Sequence, residues 1–123
     1  MSTPVVSTPV VLVVEDDTLI RMDAVAMIED GGYEVIEAIG ADEAVILLET
    51  RSDIRVVFTD IEMPGSMDGL KLVHAIRQRW PPIVLIVASG RPQPAPADMP
   101  QDTVFLQKPY RAAQILEVLA GIK

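Results

Sequence analysis

Four short apolar runs, each closed by a group able to handle charge, limit what this chain can fold into. They are Val10–Val14 before Glu15-Asp16-Asp17, Val56–Thr59 before Asp60, Ile83–Ala88 before Ser89, and Val104–Gln107 before Lys108-Pro109. Each run reads as a buried strand, and helical patterns lie between most of them. Such alternation implies a parallel sheet with helices on both faces. In an open sheet of this kind ligands bind outside the carboxyl ends of the strands. The closing groups therefore converge on one crevice, where carboxylates, a hydroxyl and a lysine describe a site for a divalent cation and a phosphoryl group.

The intervening segments supply the helices. Ile20, Ala24, Met27 and Ile28 recur at helical spacing, with Asp17 or Thr18 as the start and Gly31-Gly32 as the end. Tyr33 to Ile39 is a second strand in which Glu34 and Glu37 interrupt apolar residues, and Asp42 to Thr50 is a short helix burying Ala44, Val45 and Leu48. Asp68 caps a third helix with Leu70, Val73 and Ile76 inward and Leu72 as a further candidate, stopped by Trp80-Pro81-Pro82. A last helix begins near Arg111. Right-handed crossovers leave few topologies. The expected one is a doubly wound, five-stranded parallel sheet of order 2-1-3-4-5, which makes Asp16 and Asp60 neighbours. Between the fourth and fifth strands, Arg91 to Gln101 carries four prolines. Each removes an amide donor and biases its predecessor away from the α conformation. An irregular, mobile loop with at most one helical turn is expected in place of a fourth helix.

A chain of 123 residues suits one domain. Its net charge of -8 argues against nucleic acid, which is bound by clustered Lys and Arg. With no cysteine, neither a disulfide framework nor a thiolate metal site is available, in keeping with a reducing, cytoplasmic setting. Residues 1–9 lack the basic and apolar regions of a signal peptide and read as a flexible leader to a domain spanning 10–123. No apolar stretch approaches the ~20 residues of a spanning helix, so membrane insertion is not expected. The chain ends soon after its last helical pattern, so any effector is expected to be a separate protein.

Glu15, Asp16 and Asp60, once together, need compensation. Two carboxylates about 4 Å apart repel by roughly 4 kcal/mol at an effective dielectric of 20. Nothing in the first strand offers a cation, so either one carboxyl holds a proton or a hard cation sits among them. Mg2+ suits one or two carboxylates together with phosphate oxygens, and carboxylates serve as nucleophiles that form aspartyl phosphates. Lys108 could neutralise a phosphoryl oxygen, and Ser89 could donate a hydrogen bond to another. Taken singly, each group has a plainer explanation: Glu15-Asp16-Asp17 and Asp60 as caps, Ser89-Gly90 as a turn, Lys108 as a solvated lysine. Their conjunction at separate strand ends is what capping does not explain.

Val13-Val14-Glu15-Asp16-Asp17, Thr59-Asp60-Ile61-Glu62-Met63-Pro64, Met67-Asp68-Gly69-Leu70, Ala88-Ser89-Gly90 and Lys108-Pro109-Tyr110 together resemble the bacterial response-regulator receiver domain, over roughly residues 10 to 122. The resemblance implies a flavodoxin-like fold of the chemotaxis-regulator type. By position it makes Asp60 the phosphoacceptor and Asp16 a direct Mg2+ ligand. Glu15 would hold the ion largely through water, and the backbone carbonyl of Glu62 would be a further ligand. Ser89 takes the place of the switch hydroxyl, Lys108 that of the family lysine, and Phe105 that of the aromatic switch, although plain core packing explains Phe105 as well. A cis peptide is implied for Lys108-Pro109. The implied partners are a histidine kinase or histidine phosphotransferase as donor and a separate protein as target; a homodimer is compatible. Such a protein is not a classical enzyme, although it catalyses its own phosphorylation and slow dephosphorylation.

Two departures stand out. The loop after Asp60 is one residue longer than the commonest receiver form, and Glu62 sets a side chain beside the site, either to tune the chemistry or as an exposed surface group. The proline segment replaces part of a standard signalling face, and it is expected to respond to phosphorylation or to choose the partner. The alternatives are a pseudo-receiver that binds partners without being phosphorylated, a small phosphatase with an aspartyl nucleophile, and a flavin carrier. The intact Asp16, Asp60, Ser89 and Lys108 set argues against the first. The second lacks its Asp-x-Asp pair and the third its Ser/Thr-rich phosphate loop.

Overall fold

The computed structural model describes residues 9–63 and 67–122. The expected leader before Pro9 and the Pro64 to Ser66 part of the loop after Asp60 lie outside the described residues. The elements run β1 (Val10–Val14), α1 (Thr18–Asp30), β2 (Glu34–Ala38), α2 (Ala41–Thr50), β3 (Ile54–Asp60), α3 (Gly69–Arg79), β4 (Val84–Ser89), β5 (Val104–Gln107) and α4 (Ala112–Ala120), with a 3-10 turn at Pro96–Asp98. All five strands are parallel, in the order β2-β1-β3-β4-β5. This is the doubly wound sheet expected from the strand pattern.

β1 is buried at every position because it is central and covered on both sides. Its alternate residues divide between two cores. Val11 and Val13 join Ala24 and Ile28 of α1 and Ile115 and Leu119 of α4 on one face. Leu12 and Val14 join Ala44 and Leu48 of α2 and Leu72, Val73 and Ile76 of α3 on the other. β2 keeps Glu34 and Glu37 exposed, as an edge strand allows.

Local signals account for the helix boundaries. The Asp17 side chain accepts from Ile20 N at 3.0 Å and caps α1, while Asp68 accepts from Lys71 N at 2.9 Å and caps α3. Gly32 follows α1 at φ 94°, a conformation that costs a side-chain-bearing residue but not glycine. Trp80 ends α3, and the Arg79 guanidinium lies 4.3 Å above its ring centroid.

Three helix assignments need correction. Ile20 is 38% exposed and contributes little to the core, which α1 enters through Ala24 and Ile28. In α3 the inner face is Leu72, Val73 and Ile76, with Leu70 only partly buried. The helix packs with Leu72 directly on the sheet, which rotates Leu70 toward the rim. Val45 of α2 is likewise only partly buried.

The proline segment has no α-helix; the 3-10 turn at Pro96–Asp98 is its only helical turn. Its irregular course was legible in the prolines. Its attachment to α3 was not: His74 Nε2 donates to Asp98 O at 2.9 Å, and Arg77 Nη2 donates to Gln101 O at 3.1 Å.

Candidate functional site

Because β1 and β3 are neighbours, the residues at their carboxyl ends meet. Glu15 N donates to Ala38 O at 3.0 Å, extending the β1–β2 pairing by one residue and turning the Glu15 side chain inward. Glu15 is 4% exposed, whereas Asp16 faces solvent. Asp60 ends β3 opposite Ala88, and its side chain is 9% exposed. One oxygen from each of Glu15, Asp16 and Asp60 lies within 4.8 Å of the others. The carboxylates expected to meet do so.

The compensating cation comes from the end of the edge strand β5, at the same carboxyl edge of the sheet. Lys108 Nζ lies 3.1 Å from Asp60 Oδ1 and 3.6 Å from Glu15 Oε1. Its backbone is placed by Lys108 N donating to Ser89 O at 2.8 Å just past β5, and the Lys108-Pro109 peptide is cis. This one ammonium does not balance the cluster. Burial pushes Glu15 up to about 7; Asp16 and Asp60 add to the rise, and the Asp17 amide and Lys108 oppose it. Burial also raises Asp60, against the pull of Lys108. Asp60 Oδ1 is buried with no hydrogen bond beyond that ion pair. An oxygen-only donor set with excess negative charge and an orphaned carboxylate oxygen fits a hard cation such as Mg2+.

Several neighbours hold the cluster in place. Asp17 N donates to Glu15 Oε2 at 3.0 Å, so the residue that caps α1 also orients Glu15. Arg21 donates from Nη1 to Glu15 O at 2.8 Å and from Nε to Glu37 Oε1 at 3.1 Å. Sequence reasoning missed Arg21, whose only local signal is its place one turn after the cap. Gly69 lets the start of α3 lie against β3: a Cβ there would fall on the Asp60 carbonyl oxygen. Gly69 N donates to Ile61 O at 2.9 Å across that contact. The Tyr110 ring meets Phe58 edge-on at 5.5 Å, and its hydroxyl is pushed up to about 12, chiefly by burial and further by Glu15 and Asp60.

Ser89 is 1% exposed at the end of β4. Its hydroxyl donates to the Glu62 carboxylate, with oxygens at 2.6 and 2.8 Å, and accepts from Arg91 N at 2.9 Å. Glu62 is therefore half-buried and engaged rather than a free surface group. Phe105 sits on β5 opposite Val87, partly buried against the α2–α3 core.

A five-stranded sheet in this order, with an acidic cluster and a lysine at its carboxyl edge, defines a class of doubly wound proteins with a charged switch-point site. The family described as the response regulator receiver domain matches residues 11–120, and the chain belongs to it. The sensor kinase CckA of Brucella abortus is 37% identical over 109 residues, covering 85% of this chain and 11% of that protein. The response regulator FleR of Pseudomonas aeruginosa is 35% identical over 113 residues, covering 89% of this chain and 24% of that protein. The chain thus spans a minor part of the length of these relatives. A response regulator receiver protein from Pseudomonas putida superposes with a TM-score of 0.83 at 31% identity, covering 94% of this chain and 98% of that one. No helix among the described residues is long and apolar enough to cross a membrane.

Proposed function

We propose that this receiver domain takes a phosphoryl group onto Asp60 and passes the change to a separate protein. The observation that carries the reading is the placement of Lys108 Nζ between Asp60 Oδ1 and Glu15 Oε1 at 3.1 and 3.6 Å, beside three carboxylates within 4.8 Å. Glu15, Asp16 and Asp60, with the Glu62 backbone carbonyl, would hold Mg2+. The ion, when bound, neutralises charge on the carboxylates and on phosphoryl oxygens.

The chain's own residues do the rest. The Asp60 carboxylate attacks phosphorus, the N–P bond of a phosphohistidine donor breaks, and an acyl O–P bond forms. The departing imidazole takes a proton from solvent. Hydrolysis later returns the carboxylate and inorganic phosphate. Lys108 turns from the carboxylates to a phosphoryl oxygen, and Ser89 donates to another. Positioning and charge neutralisation account for most of such catalysis. Phe105, on the strand beside Ser89, is the side chain we assign to follow that hydroxyl.

The donor is a histidine kinase or histidine phosphotransferase, in line with the kinase and regulator relatives. The proline segment from Arg91 to Gln101 is the surface we assign to partner choice. The test is incubation with Mg2+ and acetyl phosphate, followed by intact mass. One phosphoryl adduct is expected, absent without Mg2+ and in Asp60→Asn. An unmodified chain would overturn the reading in favour of a binding module, and an adduct persisting in Asp60→Asn would move the acceptor elsewhere.

A further inference from the structure

Glu62 lies just past β3 and 27 residues before Ser89 in sequence, yet its carboxylate accepts the hydrogen bond of the Ser89 hydroxyl, with O–O distances of 2.6 and 2.8 Å. Hydrogen bonds to an ionised acceptor are about twice as strong as neutral ones. The same Ser89 oxygen accepts from Arg91 N at 2.9 Å, so the hydroxyl's proton and one of its lone pairs are already engaged in this state. Its lone proton cannot serve Glu62 and a phosphoryl oxygen at once. Glu62 and Ser89 also share the wall of a cleft of about 630 Å3 with Arg91, Pro92 and Pro94, so their contact lies against the proline segment.

We propose that the Glu62 carboxylate is a positioning residue that competes with the phosphoryl group for the Ser89 hydroxyl and so holds the switch off. This rests on the reading of Asp60 as phosphoacceptor and deepens it. When Ser89 turns to the phosphoryl group, Glu62 loses its donor and Arg91 N–H loses its acceptor. The first residue of the proline segment is then released together with the hydroxyl. Phosphorylation thereby reaches a segment that has no α-helix to carry the change, whose far end stays tied to α3 through His74 and Arg77.

The experiment is a double-mutant cycle on the full chain using Mg2+ and beryllofluoride, a phosphoryl mimic that binds the acceptor carboxylate, followed by amide NMR. Wild type, Glu62→Gln, Glu62→Ala, Ser89→Ala and the Glu62→Gln/Ser89→Ala double variant are titrated. Both Glu62 variants should lower the half-saturating beryllofluoride concentration by roughly tenfold, the scale of one charge-assisted hydrogen bond. In the Ser89→Ala background the gain should fall below about twofold, because no hydroxyl remains to compete for. The Arg91 amide should exchange faster in Glu62→Gln even without ligand. An equal gain in both backgrounds would mean that Glu62 acts by charge alone and would overturn the proposal. Unchanged or weakened binding in the Glu62 variants would do the same while leaving the phosphoacceptor reading intact. Failure of the wild type to bind beryllofluoride would remove both.

Discussion

Lys108 is the residue on which the charge balance of the site turns. It is the only cation ion-paired with Asp60 and Glu15 among the described residues, and its side chain is 24% exposed, so solvent screens it little. Lys108→Ala should therefore lower stability in metal-free buffer at neutral pH by about 1–3 kcal/mol, the range for leaving a buried polar group without its partner. The deficit should shrink when Mg2+ is added or the pH is lowered, as chemical denaturation under each condition would show; a deficit indifferent to both would deny the lysine this role. At this scale the sequence was informative about identity and weaker about partnership. Asp60, Glu15 and Lys108 could be named because each closes an apolar run. Arg21 could not, because its bonds to the Glu15 carbonyl and to Glu37 depend on how α1 lies across β1 and β2.

Helix α3 both supports the site and anchors the proline segment. Its start touches the Asp60 carbonyl through Gly69, so Gly69→Ala should force the helix away and cost about 3 kcal/mol, the upper part of the range for overpacking. Phosphorylation by acetyl phosphate should slow in the same variant. Its middle is buried at Leu72, where Leu72→Ala should cost about 2–5 kcal/mol, while Leu70→Ala at the rim should cost clearly less. Urea melts would separate the two, and equal losses would contradict the assigned inner face. Its outer side donates from Arg77 to Pro81 O at 2.8 Å and to Gln101 O at 3.1 Å. Arg77→Ala should speed amide exchange across residues 91–101 with little change at β1. Periodicity disclosed that α3 exists and where it stops. Because Leu70, Leu72 and Val73 all lie within one turn, it did not fix which of them faces the sheet.

Across the whole molecule, the excess negative charge at one end of the sheet ties stability to pH. Glu15 is raised from 4.5 to about 7 in the folded protein, and Asp60 is raised as well. Between the unfolded and folded values the native state holds more protons than the unfolded chain, so stability falls as pH rises. The contribution from Glu15 is complete below about pH 4.5 and is lost as pH passes about 7. In metal-free buffer the melting temperature should decline across that window, and Mg2+ should flatten the decline by favouring the ionised carboxylates. A metal-free melting temperature that climbs through the window would contradict the raised values. The alternation of strands and helices, the strand order, the absence of an α-helix between β4 and β5 and the set of groups at the strand ends were readable from the chain alone. Those depend on local periodicity, prolines and the short list of permitted crossovers. Packing in three dimensions is what sets Lys108 between Glu15 and Asp60, Ser89 against Glu62, and the proline segment against α3. Each of these joins groups far apart in the chain, and their meeting depends on how the helices pack on the sheet.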